Sequence, residues 1–581
     1  MDEKMVSLRI NDIPVTVPEG STVLEAARSA GFNIPSLCFL KDINEIGACR
    51  ICVVEVKGAK SLVASCVYPV AEGMEVYTNT ERVRKSLQLT LELILSNHRM
   101  DCLTCSRNSH CELLQLAGDL GIDAVRYAND NMPPQIEASA PHLVRDNSKC
   151  VLCRRCTAVC RKTQEVGVIG PNDRGFHTHI GCAFDRDLAE VDCVSCGQCI
   201  AVCPTGALQE KDNTQQVFDA LADPEKVVLV QTAPAVRAGL GEAFGYPIGT
   251  DVQGKMAAAL RALGFDKVFD TNFGADLTIM EEANEFVQRV KNGGMLPMIT
   301  SCSPGWVKYC EHYFPEMTEN LSSCKSPQQM FGSVAKSWFA QTLGVAPEKI
   351  FCVSIMPCVA KKAESELPTM AVDGHPDVDL VLTTRELVRM LRADKLDPAL
   401  LPEEEPDSPL GVHTGAGVIF GATGGVMEAA LRTAAYVLTG KNPDPDAFAA
   451  VRTGPGLREA AFELAGIPVR CAVVSGLGSA RKLIERLKAG KVHYDFVEVM
   501  ACPGGCVGGG GQPISVEDEE LYGVRGQRLY DLDRAEPIRF SHENPQVQAL
   551  YRDFLGAPLS QKAEELLHTD HKAWEMPGQR Q

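Results

Sequence analysis

The chain has 581 residues, 45% of them hydrophobic, and a formal net charge of −18. At roughly 100 to 200 residues per domain, that length implies about three to five domains. The acidic balance argues against nucleic acid or an anionic membrane as partner. No run reaches the roughly 18 apolar residues of a membrane helix. The start, MDEKMVSLRI, lacks a basic stretch followed by an apolar one, so no secretory signal is read and a cytoplasmic protein is expected. Of the 24 cysteines, sixteen precede residue 204, nearly all at short fixed spacings. In a large chain without a signal, such clustering points to metal binding rather than disulfides.

In chain order, MVSLRI and IPVTV (5–10 and 13–17) predict two strands joined by a turn at Asn11-Asp12. STVLEAARSAG predicts a helix, opened by a capping box of Thr22 and Glu25 and stopped at Gly31. A hairpin followed by a helix resembles the start of small ubiquitin-like ferredoxin domains. Residues 81–98 have helical periodicity. Residues 130–142, rich in proline and polar groups, read as a linker. Two cysteine-rich blocks starting at 150 and 193 resemble each other and suggest an internal duplication. After about residue 212, apolar runs (VVLVQTAP, LPMITS, KIFCVSIMP, CAVVSG, YDFVEVMAC) alternate with helical patterns. That alternation predicts α/β architecture, with functional residues where strands feed loops at one edge of a sheet.

The first cysteine block is Cys38-x10-Cys49-x2-Cys52-x13-Cys66. Four thiolates suit a 2Fe-2S cluster, with a longer first gap than the plant-type spacing; a zinc site is the competing reading. The second is His98-x3-Cys102-x2-Cys105-x5-Cys111. Three cysteines leave a 4Fe-4S cubane one ligand short, and His98, one turn before Cys102, can complete it; His110 competes but lies too close to Cys111. The third and fourth are Cys150, Cys153, Cys156, Cys160 and Cys193, Cys196, Cys199, Cys203, the latter followed by Pro204. Both have the bacterial two-cluster ferredoxin spacing, in which the fourth cysteine of each run serves the other cluster. Cys150, Cys153, Cys156 and Cys203 should therefore hold one cubane, and Cys193, Cys196, Cys199 and Cys160 the other. Four one-electron centres in series make a wire, which needs a redox catalyst at one end and an electron partner at the other.

The C-terminal half carries three more cysteine loops: TSCSPGW (300–306), MPCVAKKAE (356–364) and EVMACPGGCVGGGGQP (498–513). Proline and glycine in the first predict a tight turn. The i, i+4 spacing of Cys502 and Cys506 allows both thiolates on one face of a helical turn. The glycines after Cys506 permit close approach of backbone to a bulky inorganic group. Cys358, Cys502 and Cys506, with a fourth ligand from the first loop, could hold a further cubane.

These loops resemble the three signature motifs of iron-only (FeFe) hydrogenases, TSCCPxW, MPCxxKxxE and ExMxCxxGCxxGG. The resemblance extends over nearly the whole chain, including the order of the four N-terminal blocks. It implies a multidomain α+β and α/β fold: a 2Fe-2S ferredoxin-like domain (1–80), a histidine-ligated 4Fe-4S domain (81–140), a two-4Fe-4S ferredoxin domain (141–212) and a large α/β H-cluster domain (213–581). It implies one 2Fe-2S cluster, three 4Fe-4S clusters and an H-cluster, a cubane joined through one cysteine to a di-iron centre with carbon monoxide, cyanide and azadithiolate. Cys358 and Cys502 resemble cubane ligands, Cys506 the bridge to the di-iron unit, and Lys361 the lysine that hydrogen-bonds a cyanide. Ala233, Pro234, Met356, Phe420 and Met500 match the family's cofactor-pocket lining; without the resemblance they would read as core packing. The implied reaction is H2 ⇌ 2H⁺ + 2e⁻.

The family's proton relay maps onto Cys302, Glu282, Ser322 and Glu285. Alone, the two glutamates of MEEANEF would read as a solvated helix face. One position departs from the family. The flanks TS and PGW put Cys302 in the relay position and Ser303 where the family has a cubane-ligating cysteine. Either Ser303 binds iron through oxygen, or Cys302 shifts to become the ligand; soft thiolate preference favours the shift and the fixed register favours serine. Cys182, Cys310, Cys324, Cys352 and Cys471 are left without a role. A non-catalytic electron-transfer subunit like the large iron–sulfur subunit of complex I would lack the three C-terminal loops. A cluster-assembly relative would have eroded motifs, whereas Lys361, Glu364, Met500 and the glycines are intact; a redox sensor would carry an appended signalling domain. No clear GxGxxG site is present: GPGLREA and GATGGVMEAA are glycine-rich, but the second fits the family's pocket region. The implied partners are therefore ferredoxin and/or flavin- and NAD(P)-binding subunits, together with maturation proteins that install the H-cluster. The overall sequence resembles the catalytic subunits of NADP-reducing hydrogenases, and exposed low-valent iron implies an anaerobic host.

Overall fold

A computed structural model describes residues 4–127, 135–514, 521–572 and 574. The first two strands, Met5–Ile10 and Ile13–Pro18, pair antiparallel. Asn11 and Asp12 between them have φ of 48° and 65°, the left-handed geometry that a two-residue hairpin needs. The capping box opens the helix Val23–Ser29: Thr22 Oγ1 accepts from the Glu25 amide at 3.2 Å, and Glu25 Oε2 accepts from the Thr22 amide at 2.8 Å. Glu75–Tyr77 pairs parallel with the first strand, inside a five-stranded sheet. The helix Glu81–Ser96 follows and ends two residues before His98.

The linker expected at 130–142 is only partly so. Residues 130–134 lie outside the described residues, while Ile136–Glu137 is a strand antiparallel to Leu143–Asp146. Leu208–Glu210 pairs on the other side of Leu143–Asp146, so the two duplicated cysteine blocks are bracketed by one three-stranded sheet.

Every apolar run noted after residue 212 contributes a strand, but the strands form two sheets rather than one. The first sheet is all parallel, in the order Lys267–Asp270, Val227–Thr232, Ile350–Met356, Leu380–Thr383. The second runs Met298–Ile299, Phe496–Met500, Ile467–Ser475, Gly456–Leu464, with only the last strand antiparallel. The physical reason is a shared helix, Thr271–Asn292. Its Phe273 and Leu277 enter the core of the first sheet, and its Ala275, Ile279, Ala283 and Phe286 enter the core of the second. Parallel strands buried on both faces need such cover. GPGLREA falls largely in the antiparallel edge strand, not in a phosphate-binding turn. Among the described residues, no helix is long and apolar enough to cross a membrane.

Candidate active site and iron–sulfur sites

The C-terminal ends of four parallel strands, two from each sheet, converge on one cavity. Val227–Thr232 delivers Ala233 and Pro234, Met298–Ile299 delivers Cys302 and Ser303, Ile350–Met356 delivers Cys358, and Phe496–Met500 delivers Cys502. This is the edge where loops of open α/β sheets carry their ligands. The cavity walls include Cys302, Ser303, Met356, Cys358, Lys361, Phe420, Met500, Cys502 and Cys506.

Two local expectations need correction. Pro304 and Gly305 do not form a turn; they open the helix Pro304–Tyr313, with Ser303 at its N-cap. Proline at the first helical position loses no hydrogen bond, which explains the choice. Cys502 and Cys506 do not lie on a regular helical turn either. Gly504 and Gly505 between them take φ of 77° and 89°, which breaks the helix yet leaves both sulfurs on the cavity wall. The glycines that follow approach protein backbone closely: a Cβ on Gly509 would lie 2.2 Å from the Pro357 carbonyl oxygen, and one on Gly510 2.7 Å from the Gly197 carbonyl carbon.

Burial first, then the negative charges around them, push these thiols toward the neutral form: Cys506 rises to about 12, and Cys302, Cys358 and Cys502 are also raised. Thiolates gathered in a dry cavity need a bound cation to compensate them, so the donor set fits an iron cluster. Lys361 Nζ donates to Glu364 Oε2 at 2.9 Å and to the Cys302 carbonyl at 3.1 Å. Gln328 and Ser326 donate to the same Glu364 oxygen at 2.7 and 2.9 Å, holding the carboxylate that aims the lysine.

Cys302 and Ser303 point to different neighbours. The charges acting on Cys302 are those of Glu282, Lys361, Cys506 and Glu498. Ser303 Oγ accepts from the Ala501 amide at 3.2 Å, one residue before Cys502. Behind Cys302, Glu282 is buried with one carboxyl oxygen unpartnered. Burial first, then the charges of Glu285 and Glu498, push its carboxyl up to about 8. Ser322 lies within reach of Glu282 and donates to Glu285 Oε2 at 2.8 Å; Arg289 Nη2 donates to Glu285 Oε1 at 2.6 Å. The two glutamates that read as a surface face are thus buried.

The N-terminal blocks also assemble. Cys38 lies within hydrogen-bond reach of Cys49 and Cys66, and Cys66 of Cys52. His98 Nδ1 is buried without a partner, an orphan that a metal would satisfy. His110 instead feels Arg392 and Arg107. Cys150, Cys153, Cys156 and Cys203 line one cavity; Cys160, Cys193, Cys196 and Cys199 line another. The fourth cysteines therefore cross over between the two runs.

The family model for the iron-only hydrogenase large subunit, C-terminal domain, matches residues 226–510. Models for a 2Fe-2S cluster binding domain, the NADH-ubiquinone oxidoreductase-G iron–sulfur binding region and a 4Fe-4S dicluster domain match residues 3–81, 88–126 and 149–207. The iron hydrogenase small subunit model matches 519–574. The NADP-reducing hydrogenase subunit HndD of Solidesulfovibrio fructosivorans is 48% identical, covering 98% of this chain and 99% of its own. The chain belongs to the iron-only hydrogenase family. Iron hydrogenase 1 of Clostridium pasteurianum is 40% identical over 98% of this chain and 100% of its own. A solved FeFe-hydrogenase from Chlamydomonas reinhardtii is 42% identical with a TM-score of 0.56, covering 62% of this chain and 98% of that one. The cytosolic iron–sulfur assembly component 3 of Mus musculus is 34% identical over 66% of this chain.

Several residues at this site were not singled out from the sequence. Gln328 and Arg289 act through long-range contacts that spacing does not encode. Glu498 opens the third loop; its two oxygens accept from the amides of Gly424 and Met427 at 2.6 and 2.7 Å, fixing the GATGGVMEAA segment that directly follows Phe420. Cys196 also reaches the cavity wall, its carbonyl 4.0 Å from Cys502 Sγ.

Proposed function

We propose that this hydrogenase runs H2 ⇌ 2H⁺ + 2e⁻ at the cavity between its two sheets, with Cys358, Cys502 and Cys506 as iron ligands. The observation that carries this is the meeting of those three thiols with Cys302 and Lys361 on the walls of one cavity, with the buried carboxyl of Glu282 acting on Cys302 from behind. When bound, an H-cluster supplies the Lewis acid and adjacent base at which dihydrogen splits. Met356, Phe420, Met500, Ala233 and Pro234 exclude water there. Lys361, aimed by Glu364, offers an ammonium donor to an anionic ligand.

Protons pass along Cys302, Glu282, Ser322 and Glu285, and Arg289 donates to the last carboxylate. A carboxyl near 8 is poised to hold and release a proton near neutral pH. Cys302 takes this relay role because its neighbours are Glu282 and Cys506, and Ser303 takes the ligand position because its oxygen sits beside the Cys502 loop. Electrons leave through the ferredoxin module. Cys196 touches Cys502, and Gln198 Nε2 donates to the Gly508 carbonyl at 3.1 Å, so the ferredoxin module shares a wall with the cavity.

The wire then comprises three cubanes and one 2Fe-2S cluster, with His98 ligating one cubane. Full-length similarity to a subunit of an NADP-reducing hydrogenase supports partner subunits that carry nicotinamide chemistry. The test is hydrogen evolution from reduced, matured enzyme, with iron and sulfide analysis. Absence of turnover with a complete iron complement would refute the catalytic reading.

A further inference from the structure

We propose that His142 raises the reduction potential of the cubane at Cys160, Cys193, Cys196 and Cys199, the one whose ligand loop touches the catalytic cavity. The inference rests on the reading that those four thiolates hold a cubane.

His142 is 3% exposed and lines that cluster cavity. Its Nε2 lies 3.6 Å from Cys193 Sγ, and its Nδ1 lies 3.3 Å from Ser195 Oγ. An iron-bound thiolate carries no proton and can only accept. The ring proton therefore sits on Nε2, and the Ser195 hydroxyl donates to Nδ1, which fixes tautomer and ring orientation together. The backbone is equally fixed. The His142 carbonyl accepts from the Lys211 amide at 3.3 Å, and the next residue begins the central strand of the three-stranded sheet.

Reduction adds negative charge to the cluster, so an N–H donor on a ligand sulfur favours the reduced form and raises the potential. In a dry cavity the effect is strengthened. The duplicated site lacks this donor. Its cavity is lined by Arg145, Asn147 and Thr205 but no histidine. Thr205 comes within 3.8 Å of Cys203 Sγ, but its hydroxyl donates to the Lys149 carbonyl at 2.7 Å. Arg145 lines both cavities and so does not distinguish them. His142 thus gives the cluster beside the catalytic cavity a ring N–H donor on a ligand sulfur that the duplicated site does not have.

The test is a redox titration of the purified holoenzyme followed by electron paramagnetic resonance. His142→Leu lowers one cubane's reduction equilibrium constant about tenfold, about 59 mV for one electron, and leaves the other centres in place. His142→Gln, which keeps an N–H donor, recovers most of the shift. In the unaltered enzyme labelled with ¹⁵N-histidine, this cubane's reduced signal shows a weak nitrogen coupling, separate from that of His98 on its own cluster. Unchanged potentials in His142→Leu with full iron content would overturn the proposal. If that variant fails to hold the cluster, the labelled unaltered enzyme decides, and no second histidine coupling would overturn it. Iron analysis lacking this cubane in the unaltered enzyme would instead overturn the cluster assignment beneath it.

Discussion

Gly509→Ala tests whether the cavity depends on close backbone packing behind Cys506. Gly509 has φ −63°, so alanine brings no backbone strain and the effect is purely steric. The new Cβ would lie 2.2 Å from the Pro357 carbonyl oxygen and 2.9 Å from that of Cys506. Ordinary contact begins at 3.4 Å, so one of these loops must retreat by about 1 Å. Pro357 immediately precedes Cys358, so the displacement falls on two proposed iron ligands. Overpacking of this kind costs about 1–3 kcal/mol of stability, and a 1 Å misplacement of reacting groups costs about 100-fold in rate. The assay is hydrogen evolution by matured enzyme, with thermal unfolding and the N-terminal cluster signals recorded alongside. Gly523→Ala is the control, since nothing lies within 4 Å of a Cβ there; it should leave turnover unchanged. Full activity in Gly509→Ala would refute the packing argument.

Glu282→Gln should cut hydrogen turnover by about 10²–10⁴-fold while the N-terminal cluster signals stay intact; a wild-type rate would remove Glu282 from the relay. His98→Ala should lose one cubane by iron analysis and paramagnetic resonance, whereas His110→Ala should lose none. Glu311 is raised to about 8, chiefly by burial, in contact with the Trp574 amide. Its folded value lies above the unfolded one, so the folded state holds the extra proton between about pH 4.5 and 8. Stability from this group is therefore present at low pH and lost as pH rises through that window. Glu311→Gln should flatten the corresponding fall in Tm, and an unchanged pH profile would contradict the assignment.

The grouping of the cysteines was legible because ligand spacing is local chemistry. CxxCxxCxxxC determines which sulfurs can share a cubane, and the crossing of Cys160 and Cys203 follows from the same pattern. The Thr22–Glu25 box and the Asn11-Asp12 turn are local in the same sense. Features made by distant residues were not legible. One helix serving two cores divides the strands into two sheets, and periodicity within Thr271–Asn292 cannot say that its polar residues are buried too. Glu282 and Glu285 look like surface until Ser322, Arg289 and Cys302 are brought to them. Cys502 and Cys506 have helical spacing, but Gly504 and Gly505 take conformations that spacing does not reveal. His142 fell in a stretch read as linker, where nothing in the sequence tied it to Cys193.

The most direct test of the central claim is an infrared spectrum of anaerobically purified, fully matured protein, repeated for Cys302→Ala and Ser303→Ala. Iron-bound carbon monoxide and cyanide absorb where protein does not. The account predicts those bands in the unaltered enzyme. It also predicts that Cys302→Ala keeps the bands but loses turnover, and that Ser303→Ala perturbs the bands themselves. Absence of the bands despite full maturation and intact N-terminal clusters would contradict the hydrogenase assignment and leave an electron-transfer chain without a catalyst.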